Sequence, residues 1–435
     1  ADPKAARTVT YGTSQMGWAW ADGTSGPFAA PQRLRPPSGW AVIWSDPGLG
    51  QVPGTPNVFM TMDAIPDVKF PCNRRDRSGR CTQRGVIAGP VNPFAGGACV
   101  ARSTDGGKTF GVAAKDCLHT PNFDFYDGSE IVGSKGGTVL AAFADATSVA
   151  LGGIHVWRAR TPTGAFAQLP NPFPNLAAGG HPRMIASHSG MGNETGRIYL
   201  AAGVGNTELW LQMYDPVTDG WGHAPFWPKR VATDFWSAAV PSHGILIQNG
   251  PGLSLVASDL RNSGENVSVV YMSEHPSGTH TILKLSACFP NDTSGQCTVL
   301  PDTIDMGSDA FAPTVAVGNR LFGEETIYKT AWLQQSDVGA PSIGVFSADF
   351  GYPFGGVANI RQESDYQLPC DSTGTHYWGD YDNHMGVYQP TVGSQNPLFF
   401  RSFSDSRDDF GARLCTEQTY WASTLVHVAQ VTITP

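Results

Sequence analysis

Six segments of the chain share one pattern of apolar and polar positions. Each opens on a turn residue, runs through four or five β-forming residues and closes on small or polar ones, often Asp. They are Gly54–Asp63 (GTPNVFMTMD), Gly136–Asp145 (GGTVLAAFAD), Thr195–Val204 (TGRIYLAAGV), Gly252–Asp259 (GLSLVASD), Glu325–Gln334 (ETIYKTAWLQ) and Asn396–Asp405 (NPLFFRSFSD). Short β-forming runs bounded by turn residues predict strands. The copies recur roughly 55 to 80 residues apart, the size of a repeat built from several short strands. A small sheet of this kind cannot bury both faces alone. Stacking such sheets around an axis buries them, and closing the ring leaves only short edges.

The expectation is therefore an all-β propeller of six blades, one domain spanning residues 1–435, its ring closed by N- and C-terminal strands. Gly39–Asp46 (GWAVIWSD) is a candidate seventh copy, read here as the inner strand of the first blade. Thr8–Tyr11 would pair with a strand near Tyr420–Ile433 to close the ring. No amphipathic helix is read. Leu169–Leu176 reads as a linker between blades, and Pro71–Arg84, with Arg74, Arg75, Arg77, Arg80 and Arg84, as a solvated basic loop.

Composition sharpens this picture. The chain has 435 residues, 41% of them hydrophobic and 15% charged, with 51 Gly and 33 Pro. That suits a large folded core and excludes a disordered chain. A net charge of −9 argues against nucleic-acid and membrane-surface partners, so an anionic ligand would have to be met by local Arg. No apolar run approaches the roughly 18 residues of a membrane span. Eight cysteines fall into the close pairs Cys72/Cys81, Cys99/Cys117 and Cys288/Cys297, leaving Cys370 and Cys415. Their even number and the absence of C-x-x-C predict loop-stapling disulfides in an oxidising compartment, hence a secreted protein. Sequons at Asn193, Asn266 and Asn291 agree with secretion, and a start at Ala1 without Met or signal peptide reads as a processed or engineered N-terminus.

Chemistry in a propeller is carried by the starts of the innermost strands. Reading back from each copy gives Asn122–Glu130 with Tyr126 and Asp127, then His181 and Arg183. Trp236 and His243 follow, then Asp309 and Phe311, and last His376–His384. This last segment holds Tyr377, Trp378, Asp380, Tyr381, Asp382, Asn383 and His384 and is the densest in functional groups. An Arg starting an inner strand needs an anion, which makes Arg183 a candidate for a substrate carboxylate. Asp380, Asp382, Asn383 and His384 are competent metal ligands. Consecutive strand residues face opposite ways, however, so no metal is assigned. No cofactor is required, and a structural calcium is the one ion allowed for.

The stretch Ser103-Thr104-Asp105-Gly106-Gly107-Lys108-Thr109-Phe110 reads as a tight hairpin turn. Asp105 can fold its carboxylate onto the turn's N–H groups, Gly106 and Gly107 permit positive φ, and Phe110 anchors the returning strand. With Ser103, Asp105, Gly107 and Phe110 filled, it resembles an Asp-box. Together with the repeats, Trp378-Gly-Asp380-Tyr381 and Phe403-Ser-Asp405-Ser-Arg407, it makes the chain similar to the BNR/Asp-box, sialidase-like β-propeller superfamily. That resemblance implies an outer-rim Asp-box without chemistry. In family sialidases three Arg hold a carboxylate, a Tyr activated by Glu is the nucleophile and an Asp is the acid/base. The F-R-I-P-like motif of their first Arg is absent here, and His181-Pro-Arg183-Met is its nearest echo.

The functional expectation is a secreted carbohydrate-active protein that cleaves a glycosidic bond next to an acidic sugar, uronic or sialic. A polysaccharide lyase would use Arg183, His181, His243, Tyr377, Tyr381 and His384. A glycosidase would use paired carboxylates such as Asp127 and Asp380. Tyr126, Trp378 and Arg407 are further substrate-binding candidates. The alternative is a non-catalytic propeller that binds glycan or protein.

Overall fold

A computed structural model describes residues 17–18, 20, 29–30, 32–66, 72–75, 81–84, 96–119, 126–145, 153–176, 178–187, 196–205, 207–223, 225–236, 245–246, 252–260, 264–319, 326–336, 343–351, 356–363, 376–377, 385–388, 398–405 and 425–432. Every regular element among them is a strand, and no helix is long and apolar enough to cross a membrane. The chain divides into two compact units, Ala1–Pro182 and Arg183–Pro435.

The first unit holds two four-stranded antiparallel sheets. In one, β1 (Trp40–Gln51), β2 (Val58–Pro66), β3 (Gly97–Ser103) and β4 (Gly111–Leu118) lie side by side in chain order. In the other, β5 (Tyr126–Gly133), β6 (Val139–Asp145), β7 (Ile154–Ala159) and β8 (Ala167–Gln168) do the same. The first two copies of the sequence pattern are the second strands, β2 and β6. The segment Gly39–Asp46 falls on β1, the first strand.

Burial explains why these copies are apolar at successive positions. On β2, Phe59 joins a cluster with Val52, Val100, Tyr126, Val139, Phe143 and Trp157. Its neighbours Met60 and Met62 join another, with Trp18, Leu34, Trp40 and Ile43. A strand covered on both faces needs no polar side. Arg102 ties the two sheets together. Its guanidinium donates to Asp116 Oδ1 at 2.7 Å and Oδ2 at 3.1 Å, to the Gly164 carbonyl at 2.7 Å and to the Pro162 carbonyl. It also stacks 4.9 Å over the ring of Phe166. Within the stretch read as a basic loop, Cys72–Arg75 and Cys81–Arg84 pair as an antiparallel hairpin. The linker 169–176 is pinned by Phe173, which is fully buried.

In the third sheet β9 (Ala178–Ala186), within which the division between units falls, is followed by β10 (Ile198–Val204), β11 (Glu208–Asp215) and β12 (Gly220–Trp221). A further strand, β13 (Lys229–Ala232), also pairs with β11. The fourth sheet is β14 (Leu253–Leu260), β15 (Gly264–Glu274), β16 (Thr281–Cys288) and β17 (Thr298–Ile304). The fifth is β18 (Ala310–Asn319), β19 (Thr326–Gln335), β20 (Ile343–Gly351) and β21 (Val357–Gln362). A three-stranded sheet follows, with β22 (Met385–Tyr388), β23 (Leu398–Asp405) and β24 (Leu425–Thr432). The copies are again second strands in β10, β19 and β23. The fourth copy departs from this: it is β14, first in its sheet as described. Thr8–Tyr11 lies outside the described residues.

Two of the proximity-paired cysteine sets are disulfides, Cys99–Cys117 and Cys288–Cys297. Cys99 and Cys117 are direct cross-strand partners on β3 and β4. The side chains of Cys72 and Cys81, and Cys370 and Cys415 altogether, lie outside the description. Of the sequons, Asn193 also lies outside it and Asn291 is exposed. Asn266 is buried on β15, and its Nδ2 donates to Ser268 Oγ at 3.0 Å. The folded protein offers that amide to no glycan.

Candidate functional site

The Ser103–Phe110 turn is built as its residues dictate. Ser103 Oγ donates to Asp105 Oδ1 at 2.7 Å and accepts from the Gly107 N–H at 2.8 Å. Asp105 accepts from the Thr109 N–H at 3.0 Å and from its hydroxyl at 2.6 Å. Gly106 and Gly107 have φ of +75° and +86°, the region that glycine enters freely. Phe110 meets Trp18 edge to face at 5.5 Å. The side chains of Ser103, Asp105 and Thr109 are hydrogen-bonded within the turn itself.

Buried polar residues also occur on β2, β5 and β9. In the first unit Thr61, Asp63, Ser129, Glu130 and His181 are all buried. Thr61 Oγ1 donates to Ser129 Oγ at 2.9 Å, and the Gly48 N–H donates to Thr61 Oγ1 at 3.0 Å. These contacts join β1, β2 and β5 through side chains far apart in sequence. Glycine permits the approach: a Cβ on Gly48 would stand 2.5 Å from Thr61 Oγ1 and 2.9 Å from the Ser129 carbonyl. A Cβ on Gly50 would stand 2.3 Å from the Ile131 carbonyl. Gly128, at φ +60°, lies against the imidazole of His181. The hydroxyls of Thr61 and Ser129 thus meet where packing alone asks for apolar side chains.

The predicted residues distribute as follows. Asp127 lies on β5, opposite Ala144. Tyr126 is core: its ring packs on Phe143, His155 and Trp157 at 5.4 to 5.5 Å. His181 sits against the β5 backbone. Arg183 is on β9, 7% exposed. Asp309 is buried and accepts from the Thr281 N–H at 2.7 Å, a structural contact that fixes the strand start. Tyr377 belongs to the two-residue strand His376–Tyr377, which pairs in parallel with Ile245–Leu246. Trp378, Asp380, Tyr381, His384, His243 and Arg407 lie outside the described residues. Sequence reading named the stretch Asn122–Glu130 but gave no role to its Ser129 or Glu130, and did not single out Thr61 or Asp63. The signal that could have found them is the polar end of the first copy, Thr61 and Asp63, and the Ser129-Glu130 pair after Asp127.

One Tyr–Glu–Arg set is present in the second unit. Tyr199 Oη donates to Glu265 Oε2 at 2.5 Å, and Arg197 Nη1 stands 3.5 Å from the same oxygen. Tyr199 is 0% exposed in the cluster that joins the third and fourth sheets. Burial, and then the negative charge of Glu265, push its phenol well above the usual tyrosine range. Fully buried, the phenol ties the third sheet to the fourth through Glu265.

No protein-family model matches the chain, and no curated protein does. Among solved structures it is similar to AofleA from Arthrobotrys oligospora, at 10% identity and a TM-score of 0.45, covering 99% of this chain and 95% of that one. It is similar to the periplasmic gluconolactonase PpgL of Pseudomonas aeruginosa, at 15% identity and a TM-score of 0.43, covering 99% and 96%. It is also similar to an endo-arabinase from Bacteroides thetaiotaomicron, at 10% identity and a TM-score of 0.36, covering 70% and 94%. Likeness at this level supplies no function for this chain.

Proposed function

We propose that the protein is a secreted, carbohydrate-active β-propeller that cleaves a glycosidic bond next to an acidic sugar. The observation that carries this reading is Arg183, a permanently charged guanidinium kept buried on the first strand of its sheet. A bidentate donor suits a sugar carboxylate. Arg183 pairs with the carboxylate, Tyr381 or His384 moves the proton, and Asp380 or Asp127 orients or activates it.

In the lyase form, the base removes the proton α to the carboxylate, the electron pair forms the C4–C5 double bond, and the C4–O bond breaks. The leaving oxygen takes up a proton, and no water is consumed. In the hydrolase form, water is added across the glycosidic bond and no double bond forms. The test is a turnover screen on acidic and neutral glycans, reading reducing ends together with absorbance at about 235 nm from unsaturated uronates. Reducing ends with absorbance identify a lyase. Reducing ends alone identify a hydrolase. Glycan binding with neither signal overturns the catalytic reading in favour of a lectin-like protein.

A further inference from the structure

The hairpin turn between β15 and β16 carries two histidines, His275 and His280, and the exit of β17 carries Asp305. The turn is closed by the His275 N–H donating to the His280 carbonyl at 2.9 Å and the Gly278 N–H donating to the His275 carbonyl at 2.8 Å. That closure stacks the two imidazoles, ring centroids 4.5 Å apart and 14° from parallel. Both rings turn Nε2 toward one carboxylate. His280 Nε2 is 2.8 Å from Asp305 Oδ1, and His275 Nε2 is 3.4 Å from Oδ2. One ligand atom from each of the three residues lies within 4.8 Å of the others.

We propose that His275, His280 and Asp305 bind a divalent transition cation of the zinc type. Zinc bonds of about 2.0–2.2 Å in a tetrahedron place ligand atoms about 3.3 Å apart. The two observed separations, each to a different oxygen of Asp305, lie on either side of that value, and binding requires the stacked rings to splay so that both Nε2 lone pairs converge on the ion. The outer contacts orient the rings. His275 Nδ1 lies 2.6 Å from Ser277 Oγ, and His280 Nδ1 lies 2.9 Å from Thr279 Oγ1. A hydroxyl that accepts an Nδ1–H leaves the Nε2 lone pair facing Asp305, as in metal-bound histidine. Asp305 is itself held by the Gly307 N–H, 2.9 Å from Oδ1. The side chains of His275 and Asp305 are 31% and 35% exposed, which leaves a fourth position open to water. Two nitrogen ligands favour zinc, nickel or copper over calcium and magnesium. Bound there, the ion clips the hairpin tip to the end of β17, a role independent of glycan chemistry.

The Ser277 N–H also reaches His275 Nδ1, at 3.1 Å, which serves a metal-free cluster with the proton on Nε2. Calorimetric titration of tag-free, chelator-treated protein with zinc chloride separates the two. We expect one ion per chain, displacement by nickel and none by calcium, with affinity falling at least about tenfold in His275→Ala, His280→Ala and Asp305→Asn. Cobalt should give tetrahedral visible bands that the same variants lose. Circular dichroism of each variant controls for folding. Absence of saturable zinc binding to the wild-type chain, or equal binding by the His275→Ala/His280→Ala variant, overturns the site.

Discussion

Gly128 carries the imidazole of His181 against its α-carbon: a Cβ built there stands 2.3 Å from His181 Nδ1. Gly128 also holds φ at +60°, so two costs fall on one position. Gly128→Ala is expected to lose about 2 kcal/mol or more, from backbone strain and overpacking together. Gly106→Ala meets nothing within 4 Å and bears only the strain of φ +75°, about 1 kcal/mol. Urea denaturation of both variants checks the order, and equal losses would show that the His181 contact carries no constraint.

Asp105 links the Ser103–Phe110 turn to pH. Desolvation works to raise its carboxyl, but hydrogen bonds from Thr109, Ser103 and Lys108 outweigh it and hold it at about 2, below the ordinary 3.8. The unfolded chain therefore takes up the proton first. The contribution is complete above the unfolded value and is lost as pH falls through about 2. The stability advantage of the wild type over Asp105→Asn should be constant near neutrality and shrink on acidification. Denaturation midpoints of the pair across that range measure it.

Arg102 neutralises Asp116 in a nearly closed setting. Arg102→Ala leaves that carboxylate buried without its cation and should cost about 3–5 kcal/mol. Arg102→Met combined with Asp116→Leu removes both charges and should recover much of the loss. Thermal unfolding of the two variants decides it. Equal destabilisation would assign Arg102 to packing over Phe166 instead of charge.

Arg183→Ala should weaken binding of uronic- or sialic-acid glycans by about tenfold or more, the value of a charge-assisted bond, and leave neutral glycans nearly unchanged. Isothermal titration with matched acidic and neutral oligosaccharides reads the difference. Equal loss for both classes would mean that Arg183 holds the strand and not the ligand.

The strands were legible because burial on both faces writes them as apolar runs. Val58-Phe59-Met60 and Val139-Leu140-Ala141 show this in β2 and β6. Cys99 and Cys117 were paired on closeness in sequence, and the hairpin between them sets them opposite each other. The fourth copy, β14, misled about its place in the sheet, because an apolar run marks burial and not strand order. The Thr61–Ser129 bond joins residues 68 apart in sequence, and nothing local announces it. His275 and His280 were passed over because their convergence depends on the hairpin that stacks them and on Asp305 arriving from another strand.

Val269 and Val270 are neighbours in the chain, yet they belong to separate cores. Val269 lies with Tyr199 and Leu211, and Val270 with Phe311 and Trp332. Epistasis in this protein should therefore run across sheets and not along the sequence. Truncations at 269 and 270 should add nearly independently, while those at 269 and 211 should couple. A lineage accumulating substitutions can thus repack one core while the adjacent residue stays tied to the history of the other.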